Sequence, residues 1–259
     1  MHQFDVAKEG YVNLLLAQQR HSKDPGYSKS MIASRRDFFD AGHYQPLGEG
    51  LATIVARYLN VAGATSDARV VVDAGCGEGY YLRAIRRLHE SRKVVSPTLY
   101  GIDVSKHGVQ IAARRDPCGQ YAVASTHAMP VLDGAVDVVL AHFSPVFPST
   151  FRRVLRAGGT LLVGGPGPQH LLGLKELVYD APREHTVSDL LGPDSGFEHI
   201  GTHEIQYDIE VVNSTDIGNL LEMTPFYWSA SELVQERLSS LEQLRTPIDV
   251  VVHAYRSSY

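Results

Sequence analysis

The sequence predicts an α/β fold: a mostly parallel, Rossmann-like sheet of seven strands with helices on both faces and an N-terminal helical lid. Three observations carry this. Short β-rich runs at 69–74, 99–104, 120–124, 136–141 and 160–164 alternate with helix-like stretches at 79–90, 106–115 and 148–156. Such alternation folds as right-handed βαβ units around a parallel sheet covered on both sides. The first of these strands runs into a turn containing Gly75, Gly77 and Gly79. Two late runs, 203–212 and 249–255, flank a helical stretch at 229–244 and read as a closing antiparallel pair.

The remaining elements follow in chain order. Residues 1–65 are polar, with basic Lys23, Lys29, Arg35 and Arg36 among aromatics, and are read as a lid and substrate-recognition segment. Within them, Phe38, Phe39, Leu51, Ile54 and Val55 recur near helical spacing over 34–60, interrupted by Gly42 and Pro46. Residues 66–259 are read as the main domain. Gly165-Pro166-Gly167-Pro168 is a strong breaker, with a helix expected over 169–180.

Composition narrows the function classes. The 259 residues are 44% hydrophobic and 20% charged, an ordinary globular mixture. The formal net charge of −5 gives no support to indiscriminate nucleic-acid binding, although a local basic patch is compatible with it. Cys76 and Cys118 are the only cysteines, so neither a disulfide framework nor a four-cysteine zinc site can form within the sequence. No apolar run approaches the roughly 20 residues of a membrane span. The first ten residues carry acids where a signal peptide would be apolar, so a soluble, cytoplasmic protein is expected.

The chemistry is concentrated after the first β-rich run. Val70-Val71-Val72-Asp73-Ala74 leads into Gly75-Cys76-Gly77-Glu78-Gly79-Tyr80, a G-x-G-x-G spacing rather than the dinucleotide G-x-G-x-x-G. Small residues there let the backbone approach a ligand, and the following helix start offers free N–H groups. The spacing resembles motif I of class I S-adenosylmethionine (SAM) methyltransferases. The cationic methionine amine of SAM suits a carboxylate such as Asp73. Tyr100-Gly101-Ile102-Asp103-Val104-Ser105 supplies the second half, because an acid ending the second strand can accept both ribose hydroxyls. The loop containing Ser125, Thr126 and His127 is expected to pass the adenine. His142, Ser144 and their neighbours follow the fourth strand, where such enzymes meet the methyl acceptor.

At these residues the chain resembles the bacterial large-subunit rRNA guanine-N1 methyltransferases, a family that includes tylosin-resistance enzymes. The resemblance is carried by HQFDVAKEGYVNLL (2–15), DAGHYQPL (40–47), GCGEGYY (75–81), GPGPQHL (165–171) and LEMTPF (221–226). It implies SAM as cofactor and a 23S rRNA hairpin as partner. With the polar-aromatic mixture of residues 1–47, it also implies a lid contributing Tyr11, Asn13, Tyr44 and Gln45. The cofactor set is completed by Asp73, Gly75, Gly77, Tyr80, Asp103, Val104, Ser125, Thr126 and His127. The catalytic candidates are His142, Ser144 and Tyr179. The family begins with a zinc ribbon of three cysteines and a histidine; here His2 stands at the last ligand and its cysteine partners are absent. One histidine is not a zinc site, so no metal is expected. The resemblance leads to the expectation of a ribbon either trimmed from this sequence or lost from the gene.

Three functions fit. Methyl transfer to guanine N1 in a hairpin loop would use splayed bases stacked on aromatics such as Tyr44, Phe143, Phe226 or Trp228. A ribbon-less relative could instead methylate a small molecule. It could also turn SAM's own amine onto its γ-carbon, as azetidine-2-carboxylate synthases do, with contacts from Tyr11, Asn13 and Tyr179. A non-enzymatic SAM binder is the third. Homodimerisation and the choice of acceptor stay open at this level.

Overall fold

The computed structural model describes residues 4–15, 28–61, 69–183, 185 and 191–258. A short β1 (Tyr11–Asn13) precedes α1 (Lys29–Asp40) and α2 (Gln45–Val61). The alternation follows as β2 (Val70–Ala74), α3 (Tyr80–Ser91), β3 (Thr98–Asp103), α4 (Lys106–Arg115) and β4 (Gln120–Val123). It continues through β5 (Val136–His142), α5 (Pro148–Val154), β6 (Leu155–Pro166) and α6 (Leu172–Val178). The last elements are β7 (Phe197–Val211), α7 (Ser214–Glu222), α8 (Glu232–Ser239) and β8 (Leu244–Ser257). The predicted helix over 34–60 is two helices. Gly42, in the left-handed region at φ +87°, lies in the turn after α1, and Pro46 sits in the first turn of α2, where its missing N–H costs nothing. The helix α7 was not anticipated, and the late strands are longer than their β-rich cores suggested.

The strands form one sheet in the order β1-β4-β3-β2-β5-β6-β8-β7. All pairings are parallel except those of β8, which runs antiparallel to both β6 and β7. The expected seven-stranded sheet therefore has an eighth strand, β1, whose Tyr11 lies opposite Tyr121 at the edge. At 3 residues it is too short to show a period.

Alternation along the strands builds two cores. Val71, Leu99, Val138, Leu140, Leu162 and Val252 face one side, where they join Phe38 of α1 and Leu47, Leu51 and Val55 of α2. Val72, Ile102, Val139, Ala141, Leu161 and Val163 face the other and meet Phe151 of α5 and Tyr255. Period-two strands covered on both faces are what a buried parallel sheet requires. The described part of the 1–65 segment thus shares its core with the sheet. Its α1 lies over the carboxyl ends of the central strands, the end at which open α/β sheets bind ligands.

Candidate functional site

The glycine turn is shaped by its backbone. Gly75, Gly77 and Gly79 all adopt positive φ, at 95°, 53° and 78°. A side chain at Gly75 would also strike Ser144. Ile102 O receives the N–H groups of Gly75 at 2.8 Å and Cys76 at 3.1 Å, which ties the turn to β3. Gly79 precedes α3 without a side-chain cap, leaving the helix start open. Asp103, at the end of β3, accepts the Gly77 N–H at 2.9 Å on Oδ2 and the Ser105 N–H at 2.7 Å on Oδ1. Glu78 is turned away into a buried bidentate pair with Arg83, at 3.0 and 2.8 Å.

Asp73 lies beneath this turn and is 1% exposed. Its Oδ2 has no hydrogen-bond partner among the described residues. Burial, with Asp103 nearby, pushes its carboxyl up to about 8. Asp103 is likewise raised by burial, against the pull of its backbone donors and Arg35.

Around the turn opens a cleft of about 660 Å³, within the range that holds a cofactor-sized ligand. It gathers eight of the predicted cofactor residues: Tyr44, Gly75, Gly77, Tyr80, Asp103, Val104, Ser125 and Thr126. Its other wall carries His142 and Ser144 of the predicted catalytic set. His142 is 4% exposed, packs edge-on against Tyr81 at 4.5 Å, and has no partner for either ring nitrogen among the described residues. Burial, reinforced by His170, pulls it down to about 3, so the ring is neutral.

Several expectations are corrected by position. Tyr11 and Asn13 belong to β1, two strands from β3 across the sheet, and Asn13 Oδ1 is engaged by the Leu15 N–H. Neither reaches the cleft. Gln45 is exposed and donates to Glu49. His127 is exposed and packs edge-on against Phe147, which lines the cleft in its place. Tyr179 ends α6 and stands behind Phe226, 6.0 Å between centroids. Asp73 lies beneath the turn and is not part of the cleft lining, and its Oδ2 is the buried oxygen left without a partner among the described residues. His2 lies outside the described residues. Among the described residues no group of His, Cys, Asp or Glu could hold a metal. None of their helices is long and apolar enough to cross a membrane.

The cleft also holds residues that sequence reasoning missed, Arg35, Phe39, Tyr81, Phe147, His170, His185 and the segment Met223–Pro225, beside the stacking candidates Phe143 and Phe226. The stretches 165–171 and 221–226 carried the signal, but only the fold shows that they converge.

The donor set fits SAM. A buried carboxylate with an orphaned oxygen and a half-buried one await a cation and a ribose, and the glycine turn leaves room for the backbone to approach. Fold and site define a class I SAM-dependent methyltransferase. Comparison agrees: a methyltransferase-domain family model matches residues 72–163, and a zinc-ribbon model described as RlmA, N-terminal, matches residues 1–23, a stretch without cysteine. The chain is 35% identical, over 88% of its length and 78% of the relative's, to the 23S rRNA (guanine(748)-N(1))-methyltransferase of Streptomyces fradiae. YxjB of Bacillus subtilis (strain 168), provisionally named for 23S rRNA guanine-N1 methylation, is 30% identical over 95% of this chain and 83% of its own. The fold is shared with the [4+2]-cyclase SpnF, with a TM-score of 0.51, 17% identity, and coverage of 81% of this chain and 80% of that one. The chain belongs to the 23S rRNA (guanine-N1) methyltransferase family.

Proposed function

We propose that this protein transfers the methyl group of SAM to N1 of a guanine in 23S rRNA. The observation that carries the reading is the division of one cleft into two chemistries. One half holds Asp103 above the buried Asp73; the other is walled by neutral histidines and aromatic rings. A cationic cofactor suits the first half and an uncharged, planar base the second. Names of the relatives point the same way.

SAM would supply an electrophilic methyl carbon and depart as a neutral thioether. In this assignment Asp103 accepts the ribose hydroxyls, Asp73 faces the ammonium, Val104 flanks the ribose, and Ser125 and Thr126 border the adenine. Guanine N1 carries a proton that has to leave as the new C–N bond forms. The one unprotonated ring nitrogen of neutral His142, without a partner among the described residues, is placed to take it and release it to water. A ring held near 3 is a weak base, so stabilisation of the charge developing on guanine has to come from elsewhere. Ser144 sits against the glycine turn and positions the acceptor loop.

The products decide the reading. Protein and SAM alone should be inert, and adding a 23S hairpin should release S-adenosylhomocysteine. Catalytic methylthioadenosine without any acceptor would replace methyl transfer by attack on SAM's own γ-carbon.

Of the 1–47 segment expected to form a lid, the assignment is made for residues 28–47, on the strength of Arg35, Phe39 and Tyr44 at the cleft; residues 1–3 and 16–27 lie outside the described residues. Lids come from weakly stable segments that close on ligand. SAM should therefore slow proteolysis in this segment several-fold; equal cleavage rates with and without SAM would remove the assignment.

A further inference from the structure

We propose that His170 donates its Nε2–H to the keto oxygen beside the methylated nitrogen, and thereby selects a 6-oxopurine over a 6-aminopurine. The proposal rests on guanine as acceptor. The tautomer of His170 is set by the fold. The backbone N–H of Asp249 points to His170 Nδ1 at 3.3 Å, and an N–H can only donate. Nδ1 is therefore the acceptor and the ring proton sits on Nε2, which has no partner among the described residues.

The loop carrying this ring is clasped by β8. Asp249 O accepts the Gly167 N–H at 2.8 Å, its Oδ2 accepts the Gln169 N–H at 2.9 Å, and Pro247 O accepts the Leu171 N–H at 2.8 Å. A side chain at Gly167 would collide with the Asp249 carboxylate. Leu171 is held at φ +56° and Phe143 at φ +50°, two of the three non-glycine residues with positive φ among those described. Such strain persists only where surrounding contacts over-determine it, and it gathers at functional sites. Phe143 is 40% exposed, and its ring lies 4.5 Å from His142 and 5.4 Å from His170. It is a stacking face beside two imidazoles.

His170 is 5% exposed and held neutral, at about 3, by burial and by His185 and Lys175, with Asp249 opposing. The groups facing it are thus His142 on β5, Lys175 on α6, Asp249 on β8 and His185 beyond α6. A neutral N–H is suited to the charge that builds on a purine O6 as N1 loses its proton. A 6-amino group would present a second donor to it.

The test uses the full chain with hairpins carrying guanine or inosine at the target position. His170→Ala should lower kcat at pH 7 by about 10²–10³-fold, the scale of a lost oxyanion donor. The rising limb of its pH–rate profile should move to higher pH, because N1 ionisation is no longer assisted. SAM affinity should hold, and His170→Gln, which keeps an N–H, should recover part of the rate. Inosine, which shares O6, should remain a substrate of the unmodified protein. An active wild type with an unshifted profile in both variants overturns this assignment alone. A wild type inert toward the guanine hairpin overturns the acceptor reading with it. If the alanine variant no longer binds SAM, the glutamine variant decides by the same profile.

Discussion

Replacing Asp73 with Asn is expected to stabilise the ligand-free protein and to weaken its hold on SAM. Asp73 is buried, one oxygen is unpartnered, and Asp103 adds a second negative group nearby. Its carboxyl is raised from 3.8 to about 8. Between those values the folded chain binds a proton that the unfolded chain does not, so this group costs stability as pH rises through the window. At pH 7 the displacement is about three pH units, an upper bound of roughly 4 kcal/mol at 1.36 kcal/mol per unit. Asn brings an amide that needs partners of its own, so a gain of roughly 1–3 kcal/mol is expected. His142 and His170 act in the opposite sense. Their folded values lie near 3, below 6.5, so their neutral burial is favourable above 6.5 and lost as pH falls through it. Thermal unfolding between pH 6.5 and 9 therefore isolates Asp73. Wild type should lose stability across that range relative to Asp73→Asn, and SAM should flatten the difference. Parallel curves, or an unchanged SAM affinity in the variant, would contradict this account.

What was legible in the sequence is what is local in the chain. Asp73, the glycine turn and Asp103 lie on consecutive βα units, and a strand, a turn and the next strand's end need no long-range knowledge to be placed together. The alternation of Val71 and Val72 between two cores follows from the same pattern. The acceptor wall was not legible, because it is made by topology. Only the insertion of β8 between β6 and β7 brings Asp249 beside the 167–171 loop and fixes His170. Phe226 enters from beyond α7, and Phe39 from α1.

The misplaced residues teach the same lesson from the other side. Tyr11 and Asn13 sit in a stretch that marks the family, and a family-marking stretch was read as a ligand-binding one. Its described part instead closes the sheet edge, with Tyr11 buried opposite Tyr121. His127 was placed by its loop, yet a side chain next to a cleft can point either way, and this one points to solvent. Buried neutral histidines could not be foreseen either, since His142 and His170 owe their state to surroundings that only packing supplies.

Asp103→Ala is expected to weaken SAM binding by roughly 1.5–3 kcal/mol, the range of charge-assisted hydrogen bonds, or about 10- to 150-fold in Kd. Each carboxylate oxygen already accepts one backbone N–H, from Gly77 and from Ser105, and keeps further lone pairs for the two ribose hydroxyls. Alanine removes both functions at once, loosening the turn as well as the ribose seat. Asn should do nearly as badly, because its NH₂ would face one of the backbone donors. Methylthioadenosine separates the two acids, since it keeps the ribose and lacks the methionine ammonium. Asp103→Ala should lose affinity for SAM and methylthioadenosine alike, whereas Asp73→Asn should lose it for SAM and largely spare methylthioadenosine. Calorimetry on both variants with both ligands reads this directly. A folded Asp103→Ala protein that binds methylthioadenosine like wild type would remove Asp103 from the ribose. Equal losses of both ligands in Asp73→Asn would move Asp73 away from the ammonium and leave it a support of the glycine turn.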